Sequence, residues 1–132
     1  MKYIFLFVLF ISGCSLNSNN QNTHSFYCEY YDKKSPKFFI QIRGNSAYVG
    51  ESLLGIENYN FVVLKDNDDG VIISLPQINK GIELEGHIQN DVNVFTYVLD
   101  KRLSIFSSSY SSTYEPSEGS RFGKCKPLES EL

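Results

Sequence analysis

The cysteine at position 14 has the most distinctive chemical setting in the sequence. It follows small Ser12 and Gly13, which come after an uninterrupted apolar and aromatic run from Tyr3 to Ile11 that begins beside Lys2. A basic start, a short apolar core and small residues at a cleavage point are the features of a secretory signal. Because a spanning helix needs roughly twenty apolar residues, this shorter run predicts a removable segment and not a mature membrane span.

The segment Ile11-Ser12-Gly13-Cys14 resembles the lipobox of bacterial lipoproteins. That resemblance implies that residues 1–13 are cleaved and that Cys14 becomes the lipidated first residue, carrying a diacylglycerol and often an amide-linked acyl chain such as palmitate. At ~0.8 kcal/mol per buried CH₂, several such chains give stable membrane anchoring. In Gram-negative lipoproteins an Asp after the lipidated Cys favours inner-membrane retention, so Ser15 implies the outer membrane. The alternative is an ordinary secretory signal with an incidental cysteine.

Two cysteines remain once Cys14 is assigned to lipid by that resemblance. Cys28 and Cys125 lie near opposite ends of the part that we expect to fold. Export to an oxidising compartment and an even number of remaining thiols both favour a disulfide between them. Closing so long a loop would contribute ~4–5 kcal/mol through the unfolded state. The alternative is a pair of buried free thiols.

Two histidines are further candidates for chemistry. His24 lies in an Asn- and Ser-rich stretch, with no partner near it in the sequence. His87 follows Glu83 and Glu85 at alternate positions, so a strand would place all three on one face, where they could hold a metal. A second histidine that would complete a usual zinc set is missing from residues 26–126. A solvated strand face is therefore the preferred interpretation, and we predict no metal and no cofactor.

The remaining motifs do not match those of common enzymes. The acidic run Asp66–Gly70 is typical of a hairpin turn, since Lys65 and Pro76 occupy the positions where an EF-hand needs carboxylates. The serine-rich run 107–112 is not set in a Gly-x-Ser-x-Gly motif and predicts a polar loop or edge strand, and Gly-rich phosphate loops are absent. We therefore predict that the protein is not an enzyme.

Composition points to one small β domain. Aromatic residues make up 14% of the chain, with ten Phe and nine Tyr, and aromatic residues favour strands. The formal charge of −3, about −4 after loss of Lys2, is too acidic and too dispersed for a nucleic-acid surface. The residues left after cleavage fit a single domain by length.

Apolar residues alternate with polar ones along most of the chain after Phe26. In Lys37–Arg43, for example, Phe38, Ile40 and Ile42 share one face. Pro76 is expected to end a strand and Gln89–Asp91 to form a turn. Ser52–Glu57 is either a loop or a helical turn. The predicted strands are 26–31, 37–43, 46–51, 58–65, 71–75, 81–88, 92–99, 103–108 and 121–126.

These elements predict an all-β fold, a small antiparallel meander of eight or nine strands closed as a barrel or packed as a sandwich. Pairing of the first strand with the last would bring Cys28 to Cys125. We divide the chain into signal peptide 1–13, lipidated flexible tether 14–25, β domain 26–126, with a loop over 110–120, and acidic tail 127–132. Several rings lie on the strand faces opposite the main apolar face: Phe39, Tyr48, Tyr59, Phe95 and Tyr97. We assign them mainly to core packing, and the alternatives are a ligand-lined interior or a partner-binding patch.

The segment with Tyr27-Cys28 near its start and Cys125 near its end is similar to small lipoproteins that inhibit animal-type lysozyme. The resemblance implies an eight-strand barrel. Their inhibitory loop is similar to Ser117–Phe122, although this chain has an inserted residue, a Phe in place of a Tyr, and a position close to the last cysteine.

We expect a lipid-anchored β domain in the cell envelope, facing the periplasm or the cell surface, that binds an envelope or extracellular protein as an accessory factor or inhibitor. Its contact with the membrane would be made through the lipid on Cys14, and no nucleic-acid partner is expected. The alternatives are a barrel that binds an apolar ligand, as lipocalin-like carriers do, and a lysozyme inhibitor.

Overall fold

The computed structural model describes residues 23–52, 60–114 and 119–129, with Leu84 described only by its backbone. They form one closed antiparallel barrel in which each strand pairs with the next and β8 pairs with β1. The predicted all-β fold is confirmed, and of the two predicted architectures, barrel and sandwich, the barrel is the one observed. The strands are β1 Thr23–Tyr30, β2 Phe38–Arg43, β3 Ser46–Gly50, β4 Asn60–Asp66, β5 Gly70–Leu84, β6 His87–Asp100, β7 Ile105–Ser112 and β8 Arg121–Leu128.

The barrel interior is filled by the apolar residues that alternate along the strands. Phe38, Ile40 and Ile42 of β2 are all buried, as the sequence pattern predicts, and they meet inward residues of the other strands. Successive side chains of a strand point to opposite faces, so one residue in two enters the core. The remaining core residues are Phe26, Cys28, Tyr30, Ala47, Phe61, Val71, Ile73, Leu99, Phe106 and Cys125.

Closure of the barrel depends on β1 and β8. Cys28 and Cys125 are direct partners in this strand pair, their Cα atoms are 4.1 Å apart, and a disulfide joins them. The predicted disulfide is therefore present, and it lies inside the core, where both cysteines are almost fully buried. Because the strands form a closed ring, the paired part of the barrel leaves no open sheet edge.

The alternating strand directions define two ends of the barrel. The near end holds Thr23, where β1 begins, and the short turns 44–45, 67–69 and 101–104. The far end holds the end of β1 at Tyr30 and the connections β1–β2, β5–β6 and β7–β8. A tether that joins Cys14 to β1 would enter the barrel at the near end. Cys14 itself lies outside the described residues.

The far end carries a hairpin that extends beyond the barrel wall. β4 pairs with β5 only as far as Ser74, and β7 pairs with β6 only as far as Asn93. Beyond those points β5 and β6 continue to pair with each other alone among the described strands. We call Leu75–Leu84 together with His87–Val92 the projecting hairpin.

The projecting hairpin corrects two predictions from the sequence. Pro76 does not end a strand, because β5 runs through it at a place where no described strand lies on its β4 side, so a missing N–H is tolerated there. The turn is not at Gln89–Asp91 but at Glu85 and Gly86, whose φ values of 51° and 80° are those of a type I′ turn. Predicted strand 81–88 is thus split between β5 and β6.

Several strand boundaries also differ from the predicted ones, and three of them change the predicted division of the chain. β1 begins at Thr23, so the tether assignment is wrong for Thr23–Ser25. β7 reaches Ser112 and β8 reaches Leu128, which shortens the predicted loop and tail. In each case a neighbouring strand supplies backbone hydrogen bonds, and this pairing outweighs the polar character of the side chains.

Most of the ambiguous segment Ser52–Glu57 lies outside the described residues. Among the residues that the structure does describe, no helix has the length and apolar content needed to cross a bilayer.

Candidate functional site

The interior at the far end is a cluster of aromatic rings around Tyr97. The Tyr97 ring centroid lies 5.6 Å from those of Phe38 and Phe61, and Tyr30 contacts Phe106 at 5.1 Å. Burial raises the pKa of the Tyr97 phenol far above its ordinary value, so this hydroxyl stays neutral. These rings pack as core and close the barrel from within.

Two hollows open above this cluster and share Phe95 and Tyr97. One, of about 300 Å³, lies between these rings and the apolar side chains of Val49, Phe61 and Leu75. The other, of about 360 Å³, extends from the same rings toward Tyr110 and Arg121. Phe95 is 40% exposed, although it lies on the inward face of β6. As far as residues 23–52, 60–114 and 119–129 show, the far end of the barrel is thus a mouth with aromatic walls.

Arg121 connects several side chains at one side of this mouth. Its Nη2 atom donates to Asp32 Oδ2 at 2.6 Å and also to the Ser35 hydroxyl, while its guanidinium lies 3.9 Å from the ring centroid of Tyr30. The Tyr30 hydroxyl in turn shares a 2.9 Å hydrogen bond with Ser108. The hydrogen bond from Arg121 holds the pKa of the Asp32 carboxyl below its ordinary value. This set connects the β1–β2 loop with β1, β7 and β8.

A third and larger hollow, of about 630 Å³, lies along the projecting hairpin and the end of β7. We call it the Asp91 cavity. Its wall includes Glu85, His87, Gln89 and Asp91. Asp91 was expected in a turn, but it lies within β6 and is only 8% exposed. Sequence reasoning missed this residue because it misplaced the turn by a few positions.

The Asp91 carboxylate accepts hydrogen bonds from neutral groups. Ser112 Oγ donates to Oδ1 at 2.6 Å, Asn93 Nδ2 donates to Oδ2 at 2.6 Å, and Asn79 Nδ2 is 3.5 Å from the same oxygen. Led by the bond from Ser112, these donors hold the pKa of Asp91 below its ordinary value despite its burial. The side chain is therefore an anion at neutral pH.

The predicted face of Glu83, Glu85 and His87 does not exist as such. Glu85 and His87 line the Asp91 cavity, whereas exposed Glu83 is the strand partner of outward-facing Ile88. No three His, Cys, Asp or Glu side chains in the described ranges are grouped closely enough to hold a metal ion.

The serine-rich run 107–112 is strand and not loop, and it is paired on both sides near its start. Ser112 lines the same cavity as His87 and Asp91. Its single hydroxyl proton is donated directly to Asp91. In this arrangement the proton is not given to a histidine base, as it is in a catalytic serine.

His24, expected to have no partner, lies at the near end of the barrel. Its Nε2 atom is 3.1 Å from Asp66 Oδ2 without the geometry of a hydrogen bond, whereas Lys101 Nζ donates to Asp66 Oδ1 at 2.7 Å. His24 also makes an edge contact with Phe26 at 5.7 Å. The strand starts before Phe26 because Thr23–Ser25 pair with β2.

The outward side of β4, β5 and β6 is apolar at many positions. Ile78 and Val92 are strand partners there, and Ile88 near the tip of the projecting hairpin is 79% exposed. We call this set the outer apolar face, and its exposed members are Val62, Leu64, Ile78, Ile88, Val92 and Val98. Exposed apolar side chains that share one side of a small domain make that side a candidate surface for contact with another molecule.

The segment that resembles the lysozyme-inhibitory loop is described only in part, since residues 115–118 lie outside the described ranges. Its two last residues face opposite sides, with Arg121 at the mouth and Phe122 exposed outside. No family model, no curated protein and no solved structure matches the chain.

Proposed function

We propose that the protein is a lipid-anchored bacterial lipoprotein of the cell envelope whose barrel is a non-catalytic protein-binding module. The outer apolar face carries this proposal. Three of its side chains, Ile78, Ile88 and Val92, sit on the hairpin that extends from the barrel. Burial of each large aliphatic side chain by a partner would contribute about 1.5–3 kcal/mol. A partner protein supplies the matching apolar surface and removes these side chains from water.

The position of the anchor supports this proposal. A lipid on Cys14 would connect through residues 15–22 to Thr23 at the near end. The projecting hairpin is at the far end, so the outer apolar face near Ile88 is presented away from the membrane. An acyl chain and a distal binding surface together suit an envelope accessory factor or inhibitor.

Site-specific photo-crosslinking in the native host tests the binding surface. The full chain carries p-benzoylphenylalanine in place of Ile88, and a matched control carries it in place of Leu103, which is 67% exposed near the other end. We expect one discrete crosslinked protein from position 88 and none from position 103. An identical pattern at both positions, or no crosslink at 88, contradicts the proposal.

The anchor is tested separately by mass spectrometry of the membrane-extracted protein. We expect a mature chain that begins at Cys14 and carries the added mass of acyl chains. A Cys14→Ser variant should lose this mass and leave the membrane fraction. A wild-type chain that begins elsewhere, or that has no acyl mass, contradicts the lipoprotein assignment.

A second candidate function, binding of an apolar ligand, is favoured by the hollow of about 300 Å³ bordered by Val49, Phe61, Leu75 and Phe95. This volume is at the lower limit of ordinary ligand pockets. Fully buried Ile40, Ile42 and Ile73 fill the barrel beneath it, so a ligand would occupy the mouth only. A fluorescent fatty-acid titration tests this function, and Leu75→Lys should abolish binding; lack of saturable binding by the wild type contradicts it. A lysozyme inhibition assay tests the remaining alternative.

A further inference from the structure

Asp91 differs from the ion-paired carboxylates of the described chain in the charge of its partners. Glu29 lies 3.3 Å from Lys37, Asp32 is held by Arg121, and Asp66 is held by Lys101. Asp91 is more buried than these, yet within the described residues it forms no ion pair and its hydrogen bonds come from Asn and Ser. The hydrogen bonds stabilise the anion but do not cancel its charge, so a cation that reaches the carboxylate would gain an attraction that no described side chain supplies.

The neighbouring Asn93 is hydrogen-bonded to Asp91 and is not itself among the residues that line the Asp91 cavity. It is 5% exposed, its Nδ2 atom donates to Asp91, and its Oδ1 atom has no hydrogen-bond partner among the described residues. The contact with Asp91 sets this orientation, because a carboxylate oxygen requires a donor and therefore faces the nitrogen. A buried amide oxygen and a buried carboxylate lie side by side, and both can only accept.

The Asp91 cavity is large enough for a ligand that would supply the missing donors. Its volume of about 630 Å³ is within the range of small-molecule sites. Glu85 adds a second carboxylate at its rim, and no described lysine or arginine lines it. Ile82 adds an apolar wall against which an alkyl chain can pack.

We propose that the Asp91 cavity binds a donor-only cation, either a primary ammonium or a guanidinium at the end of an alkyl chain. Such a group has three to five N–H donors and no acceptor, which matches an acceptor-rich wall. A carboxylate carries about four lone-pair sites, so Asp91 can accept a further bond without losing those from Ser112 and Asn93. The cavity is on the inward side of the hairpin and is distinct from the outer apolar face.

NMR titration of the full-length lipoprotein in detergent tests this proposal. The probes are methylguanidinium and n-butylammonium, and the reporters are the side-chain amide signals of Asn79 and Asn93. We expect saturable shifts with both probes. Tetramethylammonium, which has the same charge but no N–H donor, should give none. Equal shifts with tetramethylammonium, or no shifts with either probe, overturn the proposal.

Variants separate binding by Asp91 from general charge effects. Asp91→Asn should weaken binding at least tenfold, whereas Glu83→Gln, with the same charge change on the outward side of the same hairpin, should leave it within twofold. Because Asp91→Asn also alters an internal hydrogen-bond set, Gln89→Lys is a second test that keeps Asp91 and places an ammonium in the cavity. It should weaken binding at least tenfold by competition. Wild-type affinity in either cavity variant overturns the assignment.

The source of the cation is distinguished with peptides. A short capped peptide containing arginine is compared with its citrulline counterpart and with free methylguanidinium. Tighter binding of the arginine peptide than of methylguanidinium assigns the site to a basic side chain of a protein partner, and equal binding assigns it to a free cation. Binding of the citrulline peptide as tight as that of the arginine peptide overturns the requirement for charge. These outcomes do not depend on crosslinking at Ile88, so the two proposals fail separately.

Discussion

At the residue scale, two carboxylates near the far end of the barrel show different ways of stabilising a negative charge. Asp32 accepts from Arg121 and from the backbone N–H groups of Lys34 and Ser35, in the manner of a charged loop cap. Asp91 accepts from neutral side chains in a more enclosed place. Both arrangements favour the ionised form and lower the pKa. The first satisfies the charge locally, whereas the second leaves it available to a ligand.

The contribution of Arg121 to Asp32 can be measured directly. In Arg121→Gln we expect the pKa of Asp32 to rise part of the way to its ordinary value, because the charged donor is lost while the two backbone donors remain. Carboxyl chemical shifts recorded from pH 2 to 7 report this pKa. Lys124→Gln is the matched control, since Lys124 lies near Glu29 and should leave Asp32 unchanged. An unchanged pKa in Arg121→Gln would contradict the assigned contact.

The Asp91 carboxyl should make stability depend on pH in the acid range. Its pKa is lower in the folded than in the unfolded chain, so its contribution is fully present above about pH 4 and is lost as pH falls through the folded pKa. We expect Asp91→Asn to be less stable than wild type at pH 7 and to lose less stability on acidification. Thermal unfolding from pH 7 to pH 2.5 measures both the difference in stability at pH 7 and the loss of stability on acidification.

Asp68→Asn, at an exposed position in the β4–β5 turn, is the control for that measurement and should unfold with the acid dependence of the wild type. If Asp91→Asn loses as much stability on acidification as the wild type does, the pKa of Asp91 is not lowered in the folded protein.

At the element scale, β8 packs closely against both of its neighbouring strands. Gly123 pairs with Tyr30 of β1 and with Phe106 of β7. A Cβ atom at this position would overlap the carbonyl oxygen of Glu29 and the Phe106 ring. The strand thus needs glycine where the ring crosses it, and alternate residues of β8 then place Cys125 inward for the disulfide.

Replacement of Gly123 should therefore lower the stability of the fold substantially. We expect Gly123→Ala to lower the free energy of unfolding by at least about 2 kcal/mol, because both the backbone of β1 and the buried ring must move. Urea unfolding of the oxidised protein measures the change. Lys124→Ala, at the next and outward position, should cost less than about 0.5 kcal/mol. Equal effects of the two substitutions would show that Gly123 is not confined.

At the whole-molecule scale, the barrel is a meander in chain order. Among the described strand pairs, β1 with β8 is the only pair that is not consecutive in the sequence. The Cys28–Cys125 disulfide, with a sequence separation of 97, lies within that closing pair. Loss of closure would expose two sheet edges. The covalent bond therefore restricts the unfolded chain and protects the seam of the barrel.

The closing bond should account for a large part of stability. We expect Cys28→Ala/Cys125→Ala to lower the free energy of unfolding by about 4 kcal/mol, since it releases a loop of nearly the whole domain in the unfolded state. Urea unfolding of the double variant is compared with that of oxidised and reduced wild type. The reduced wild type should resemble the variant. A difference below about 1 kcal/mol would show that closure holds without the bond.

The sequence by itself determined the class of fold and the disulfide. Alternation of apolar and polar residues is a local property, so it identified most strands, including Phe38–Arg43 with its three inward residues. The expectation of export and the parity of the cysteines left after Cys14 predicted Cys28 and Cys125 as partners, and the structure contains this disulfide.

Only the tertiary structure decided between barrel and sandwich, the path of β5 through Pro76 and the position of Asp91. Alternation of apolar and polar residues identifies the two faces of a strand but not the neighbouring strands with which it pairs. Pairing supplies backbone hydrogen bonds that local propensity does not predict. The hairpin turn at Glu85 and Gly86 placed residues 87–91, predicted as a strand end and a turn, within β6. Asp91 is a buried anion because β5 and β7 bring the donors of Asn79 and Ser112 to it, and these residues are 12 and 21 positions away in the sequence.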